Sequence, residues 1–196
     1  MPRGVAIDGA RQRMFTAAEA VVLRRGVDGL TGRAVTTQAG VSTGLLHAHF
    51  DDFDGFLAAY AVDRSFLLGA EAGEAAPSDA DTAPTVAAAL CAQLDALTQP
   101  SATVFARLLV ARPGLRERAA EVLGEGAAGF EGVTAAIADR LAVAEREGRL
   151  RPGVRADDLA YAVVAAALHA WCAGDSDDRW RSAVHSVVGA VQVETP

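Results

Sequence analysis

Ser42 and Thr43 follow the pair Gly40-Val41 and open a short run, Gly-Leu-Leu-His-Ala-His-Phe, that ends at Phe50. Two hydroxyls at the start of a helix, beside free backbone amides, suit phosphate oxygens. Gly44 would let a ligand's surface approach the backbone closely. His47 and His49 raise the question of a metal. Ligands on one helix face need i, i+3 or i, i+4 spacing, and an i, i+2 pair points apart, so no metal is expected here. HExxH, P-loop and paired-cysteine spacings are absent, the four histidines are dispersed, and Gly40-Val41-Ser42-Thr43-Gly44 has the letters of GxSxG without the preceding strand that motif needs. The sequence therefore points to binding rather than catalysis, with no cofactor.

The elements that must position these residues are helices. Met14, Phe15, Ala18, Val21 and Val22 repeat on one face of a helix expected over 9–25, with Asp8 as its cap. Gly26 stops it, and Arg24 and Arg25 are well placed for its dipole. Thr31 caps a short helix carrying Ala34, Val35 and Ala39, and Gly40 ends it. Ser42 caps the next, which carries Leu45 and Leu46 and ends near Phe50. Two short helices around a glycine turn make the helix-turn-helix pattern. A longer helix follows from Phe53 to about Ala72. Residues 71–84, EAGEAAPSDADTAP, read as a linker. Further helices are expected at 84–98, 101–111, 114–124, 126–147, 156–173 and 177–193, with Pro100, Pro113 and Pro152 at the breaks.

Composition agrees with an all-α chain. Half of its 196 residues are apolar, led by Ala, Leu and Val, which favours packed helices over sheet. Every one of the eighteen basic residues is Arg. The net charge of −7 conceals an asymmetry. Residues 1–50 hold six arginines against three acids, a local +3, while the rest of the chain carries −10. A basic head on an acidic body is the pattern of a nucleic-acid reader with a separate regulatory part. Cys91 and Cys172 sit in apolar helical runs, as free thiols in a reducing compartment would. The N-terminus has no signal-peptide pattern, and the longest apolar run, 159–173, is shorter than the about 20 residues a membrane span needs. A cytoplasmic protein with no membrane partner is expected.

The stretch from Leu30 to Phe50 resembles the DNA-binding segment of the TetR family of bacterial regulators. Thr31 and Arg33 open the second helix, Val35 takes its core position, Ala39-Gly40-Val41-Ser42 forms the turn, Gly44 and Leu46 lie in the third helix, and His49-Phe50 closes it. Upstream, Arg11, Phe15, Ala18 and Gly26 fit the family's first helix. The specific resemblance covers about the first 60 residues and implies a three-helix DNA-binding head at 1–52, followed by a helical ligand-binding and dimerisation domain at 53–196. It places Thr31, Arg33, Ser42, Thr43, Gly44, Leu45, His47 and His49 at DNA, with Leu46 and Phe50 packed behind. Two positions depart from the family pattern: His47 replaces a Tyr and Phe53 a Lys, both of which hold phosphates in the family. Fewer phosphate contacts mean weaker, less salt-sensitive binding. A helical sensing or dimerisation protein with weakened DNA binding is therefore the alternative.

The resemblance also implies a homodimer on a near-palindromic operator, repression, and release by a small-molecule effector. The last two helices are its expected dimer surface, with Val163, Ala167 and Ala170 on one and Trp180, Val184, Val187, Val188 and Val191 on the other. The same stripe can equally be intramolecular core. Phe105, Tyr161, His169, Trp171 and Cys172 are the expected lining of an effector cavity, being amphipathic or polarisable residues in aliphatic helices.

Overall fold

A computed structural model describes residues 3–75, 85–173 and 178–193, with side chains from residue 9 onward. Ten α-helices follow in order: α1 Arg3–Arg25, α2 Gly32–Ala39, α3 Thr43–Phe50, α4 Phe53–Glu74, α5 Val86–Asp95, α6 Gln99–Ala111, α7 Gly114–Leu123, α8 Glu131–Arg146, α9 Ala156–Ala173 and α10 Arg179–Gly189. The expected all-α class holds. Among the described residues the only extended pairing is a bridge between Leu150 and Gln192.

Local chemistry sets most boundaries. Thr31, Ser42, Asp52 and Thr85 each accept a backbone N–H with the side chain at the N-terminus of α2, α3, α4 and α5. Such caps satisfy donors that the helix itself leaves open, each worth about 1 kcal/mol. Several boundaries differ from the expectation. Asp8, expected as the cap of the first helix, lies inside α1, which already begins at Arg3. Residues 71–74, assigned to the linker, instead complete α4, where Ala72 is buried and the Gln93 amide donates to its carbonyl at 2.7 Å. The rest of that linker, 76–84, lies outside the described residues. Finally, α8 starts at Glu131 after a 3₁₀ turn, Glu125–Ala127, and α10 spans a shorter stretch than 177–193.

Helices α1–α3 form the head, and α4 runs from it into the body made by α5–α10. One continuous apolar core joins them, from Met14 and Phe15 through Tyr60 and Phe105 to Val184 and Val188. Where α4 crosses α8, Gly69 and Gly132 meet backbone to backbone. A Cβ on Gly132 would lie 3.2 Å from the Gly69 Cα, so any side chain there would push the helices apart.

Candidate nucleic-acid interface

The head builds its turn from residues that leave no slack. The Thr31 hydroxyl accepts from Ala34 N at 3.2 Å, and Val35 and Thr36 bury the inner face of α2. Gly40 adopts φ 65°, ψ 36°, the left-handed conformation that lets the chain reverse after one residue. Val41 N then returns to the Thr36 carbonyl at 3.0 Å, and Ser42 caps α3 through Leu45 N at 3.3 Å. Inside α3, Leu46 and Phe50 are buried, at 1% and 6% exposure. Thr43, Gly44, His47 and Ala48 are exposed, whereas Leu45 and His49 are half-buried. Small and polar residues therefore cover the outer face of α3, and bulky anchors fix its back. Thr31, Arg33 and Ser42 are also exposed.

The two departures from the family pattern have been absorbed into the junction of α3 and α4. Asp51 sits at φ 63°, ψ −56°, and Asp52 N donates to the Phe50 carbonyl at 2.7 Å, a γ-turn that L-residues rarely adopt. The His47 Nδ1 bonds the Asp51 carbonyl at 2.8 Å, which fixes the carbonyl on the far side of that strained residue. Phe53 stacks on Phe56, with ring centroids 5.8 Å apart and 15° between planes. It lies over Gly32, whose missing side chain leaves the ring its room. His47 and Phe53 brace the elbow between α3 and α4.

Behind the elbow, six rings run in contact from the head into the body. Phe50 meets Phe15 (5.8 Å), Phe15 meets Tyr60 (5.5 Å), Tyr60 meets Phe105 (6.2 Å), Phe105 meets Phe130 (5.3 Å), and Phe130 meets Trp171 (5.6 Å). Beside them lies a buried polar cluster. Glu19 of α1 accepts from Tyr60 Oη at 3.2 Å, from Arg64 Nε at 2.8 Å and from Ser101 Oγ at 2.8 Å. The Arg64 guanidinium also covers the Phe15 and Tyr60 rings. Burial, reinforced by the Glu19 carboxylate, holds the Tyr60 hydroxyl well above its usual pKa. One carboxylate of the head thus ties together α1, α4 and α6. The sequence offered no signal for it, since its partners lie 41 to 82 positions away.

The expected effector residues have different surroundings. Phe105 and Trp171 are members of the ring column, Cys172 is half-buried, His169 is exposed, and Tyr161 is 73% exposed. A groove of about 200 Å³ between α6, α8 and α9 takes in Tyr161, with Leu109, Arg116, Phe130, Thr134 and Leu168 on its other walls. Among the described residues, no group of three or more His, Cys, Asp or Glu is arranged to hold a metal.

The expected dimer stripe closes the protomer's own core. Val163, Ala167, Ala170, Val184 and Val188 are all under 9% exposed and pack within the chain, so a second copy could not reach them. Trp180 and Val191 are half-buried, and Val187 is exposed. Periodicity marked an apolar face correctly but could not say what that face packs against. The outward face lies about one position away around each helix. On α9 it carries Tyr161, Ala162, Ala165 and His169, and on α10 it carries Ala183, Ser186 and Val187, with Ala190 just past its end. No helix among the described residues is long and apolar enough to cross a membrane.

The same architecture recurs in solved structures. A TetR-family transcriptional regulator from Agrobacterium tumefaciens superposes with a TM-score of 0.70 at 14% identity, covering 95% of this chain and 100% of its own. A transcriptional regulator from Rhodococcus sp. gives 0.67 at 19% identity, covering 95% and 99%. SmeT, the repressor of the Stenotrophomonas maltophilia multidrug efflux pump SmeDEF, gives 0.55 at 18% identity, covering 94% and 91%. No family model and no curated protein matches the sequence. At these identities the likeness concerns architecture, and along nearly its whole length this chain has the fold of the TetR-family transcriptional regulators.

Proposed function

We propose that this protein is a DNA-binding transcriptional regulator, a repressor that binds a near-palindromic operator as a homodimer and is released by a small-molecule effector. The outer face of α3 carries the reading. Thr43, Gly44 and Ala48 are exposed while Leu46 and Phe50 are locked into the core. Such a helix can enter a major groove with its N-terminal residues against base edges, while α2 crosses the backbone. Thr31, Arg33, Ser42 and Thr43 meet phosphates or bases, and Gly44 admits close approach. Leu45, half-buried, offers its free edge to apolar base surface. His49 is set against the Phe50 ring, with centroids 5.9 Å apart, and contributes more as a packing residue than as a donor.

A homodimer would bring two recognition helices about 34 Å apart, one helical turn of duplex DNA. The exposed small residues of α9 and α10 are the surface that suits a second copy. Effector binding is assigned to the body, and the groove beside Tyr161 is its best described opening.

A specific observation favours a second reading. With His47 engaged by the Asp51 carbonyl and Phe53 stacked on Phe56, two phosphate contacts are missing, as a sensing or dimerisation protein with weakened DNA binding would show. Fluorescence anisotropy of the purified protein on duplex DNA from its own upstream region, with scrambled duplex as control, separates the two. The regulator reading expects preferential binding to the upstream duplex, and Thr43→Ala should weaken it roughly tenfold, within the 1–3 kcal/mol of a good recognition contact. Equal, weak binding to both duplexes, unchanged by Thr43→Ala, would establish the alternative.

A further inference from the structure

The seam between the last turn of α1 and the start of α2 opens into a groove of about 250 Å³ whose walls include Arg24, Arg25, Thr31, Arg33, Thr37 and Gln38. Three arginines therefore line one shallow volume. Among the described residues none of the three is paired with a carboxylate. Arg24 donates to the neutral Gln38 side chain, and all three arginines are exposed. Asp28 is the only acid in the sequence between Arg24 and Phe50, and it is not part of the groove wall. Three like charges gathered this closely repel one another, and an anion between them relieves that repulsion. Guanidinium groups are also the side chains best matched to phosphate oxygens, through parallel N–H donors.

We infer that this groove grips a backbone phosphate of duplex DNA outside the segment faced by α3, an inference that rests on the DNA-binding reading above. Its α2 wall belongs to the helix that crosses the backbone in a helix-turn-helix, so a strand running past α3 continues along Arg33 and Thr37. The groove lies open to solvent on one side, which suits a continuous polyanion that passes through. It also supplies cationic contact on a head whose elbow has given up two phosphate-holding positions to packing. Arg24 and Arg25 have a structural role as well, since they end α1 where positive charge offsets the helix dipole. The test must separate the two roles.

Salt dependence does so. Full-length protein is titrated by anisotropy against upstream and scrambled duplexes between about 50 and 200 mM NaCl. The double variant R24Q/R25Q keeps side-chain length and helix propensity while removing the charge. It should bind both duplexes more weakly by the same factor, and the slope of log affinity on log salt should flatten by about 1. R24K/R25K should restore the slope. R146Q, which removes an arginine from the last turn of α8, should leave slope and affinity unchanged. The single variants R24Q and R25Q carry the test if melting shows that the double variant is unfolded. Wild-type binding with an unchanged slope in R24Q/R25Q overturns the phosphate grip and leaves the regulator reading standing. A wild type that binds neither duplex at about 50 mM salt overturns both. An unchanged slope together with thermal stabilisation of wild type, but not R24Q/R25Q, by inorganic phosphate assigns the groove to a free anion and overturns the DNA contact.

Discussion

The head and the body use the same cation in opposite ways. In the body, Arg64 is paired with Glu19 and Asp63, Arg116 with Glu125 and Glu131, Arg149 with Glu147, Arg155 with Asp158, and Arg181 with Asp95 and Asp178. In the head, Arg13, Arg24, Arg25 and Arg33 have no carboxylate partner among the described residues, and Arg11 lies over the Phe15 and Phe50 rings. A net charge of −7 is therefore a poor guide to what the molecule attracts. What matters to a polyanion is whether a positive group has already been neutralised by its neighbours: among the described residues at least five of the twelve body arginines are, against none of Arg13, Arg24, Arg25 and Arg33.

The sharpest way to break this comparison is at Glu19, the head carboxylate that pairs with a body arginine. Glu19→Ala leaves the buried Arg64 charge without its buried partner, with only the more exposed Asp63 beside it. Stability should fall by about 3–5 kcal/mol in urea denaturation, with Glu19→Gln milder. A loss under about 1 kcal/mol would mean that the cluster does not join the two regions.

Alkali should act on the body and the joint more than on the head. Residues 1–50 contain neither Tyr nor Cys. In the body, burial and then nearby Asp95 push the Cys91 thiol to about 11, from 9.0, and burial raises Tyr60 as well. Both groups are neutral when protonated, and the folded chain holds those protons longer than the unfolded one. The Cys91 contribution to stability is thus intact below pH 9.0 and lost as pH climbs towards about 11, and the Tyr60 contribution is lost only above the ordinary tyrosine value of 10.0. Melting temperature measured across that window should decline, and Cys91→Ala should flatten part of the decline. A melting temperature that stays level up to about pH 11 would contradict the burial of both groups.

The smallest effect is expected at a surface pair. Arg181 and Asp95 join α10 to α5 with both side chains more than a third exposed. Asp95→Asn should cost about 0–1 kcal/mol and leave DNA affinity unchanged. A larger loss would show that pairing in the body is structural as well as neutralising.

Much of the head was legible because its signals are local. Thr31, Gly40 and Ser42 act within four residues of themselves, and the spacing of Leu46 and Phe50 alone places them behind α3. The end of α4 was misread for the opposite reason. Gly73 and the polar residues around it argue for a loop, but burial of Ala72 and the bond from Gln93 carry the helix through. The stripe of Val163, Ala167, Val184 and Val188 shows the limit of periodicity, which reports that a face is buried and is silent about the partner. Glu19, Tyr60, Arg64 and Ser101 show no pattern at all until the fold brings them together. Arg24 and Arg25 were seen only as a helix end, because the groove they share with Arg33 exists only in three dimensions.

The elbow at Asp51 has a mechanical consequence. A single residue separates the last residue of α3 from the Asp52 cap of α4, and its two dihedrals are held by the bond from Asp52 N to Phe50, the bond from His47 to the Asp51 carbonyl, and the cap from Asp52 to Gly55 N at 2.7 Å. A Cβ on Gly55 would fall 2.2 Å from the Phe50 carbonyl oxygen, so the first turn of α4 sits against the last turn of α3 with no clearance. Such a joint has no lost motion. Any tilt of α4, a lever of 22 residues and about 33 Å, is delivered to α3 as rotation and cannot be absorbed by a loop between them.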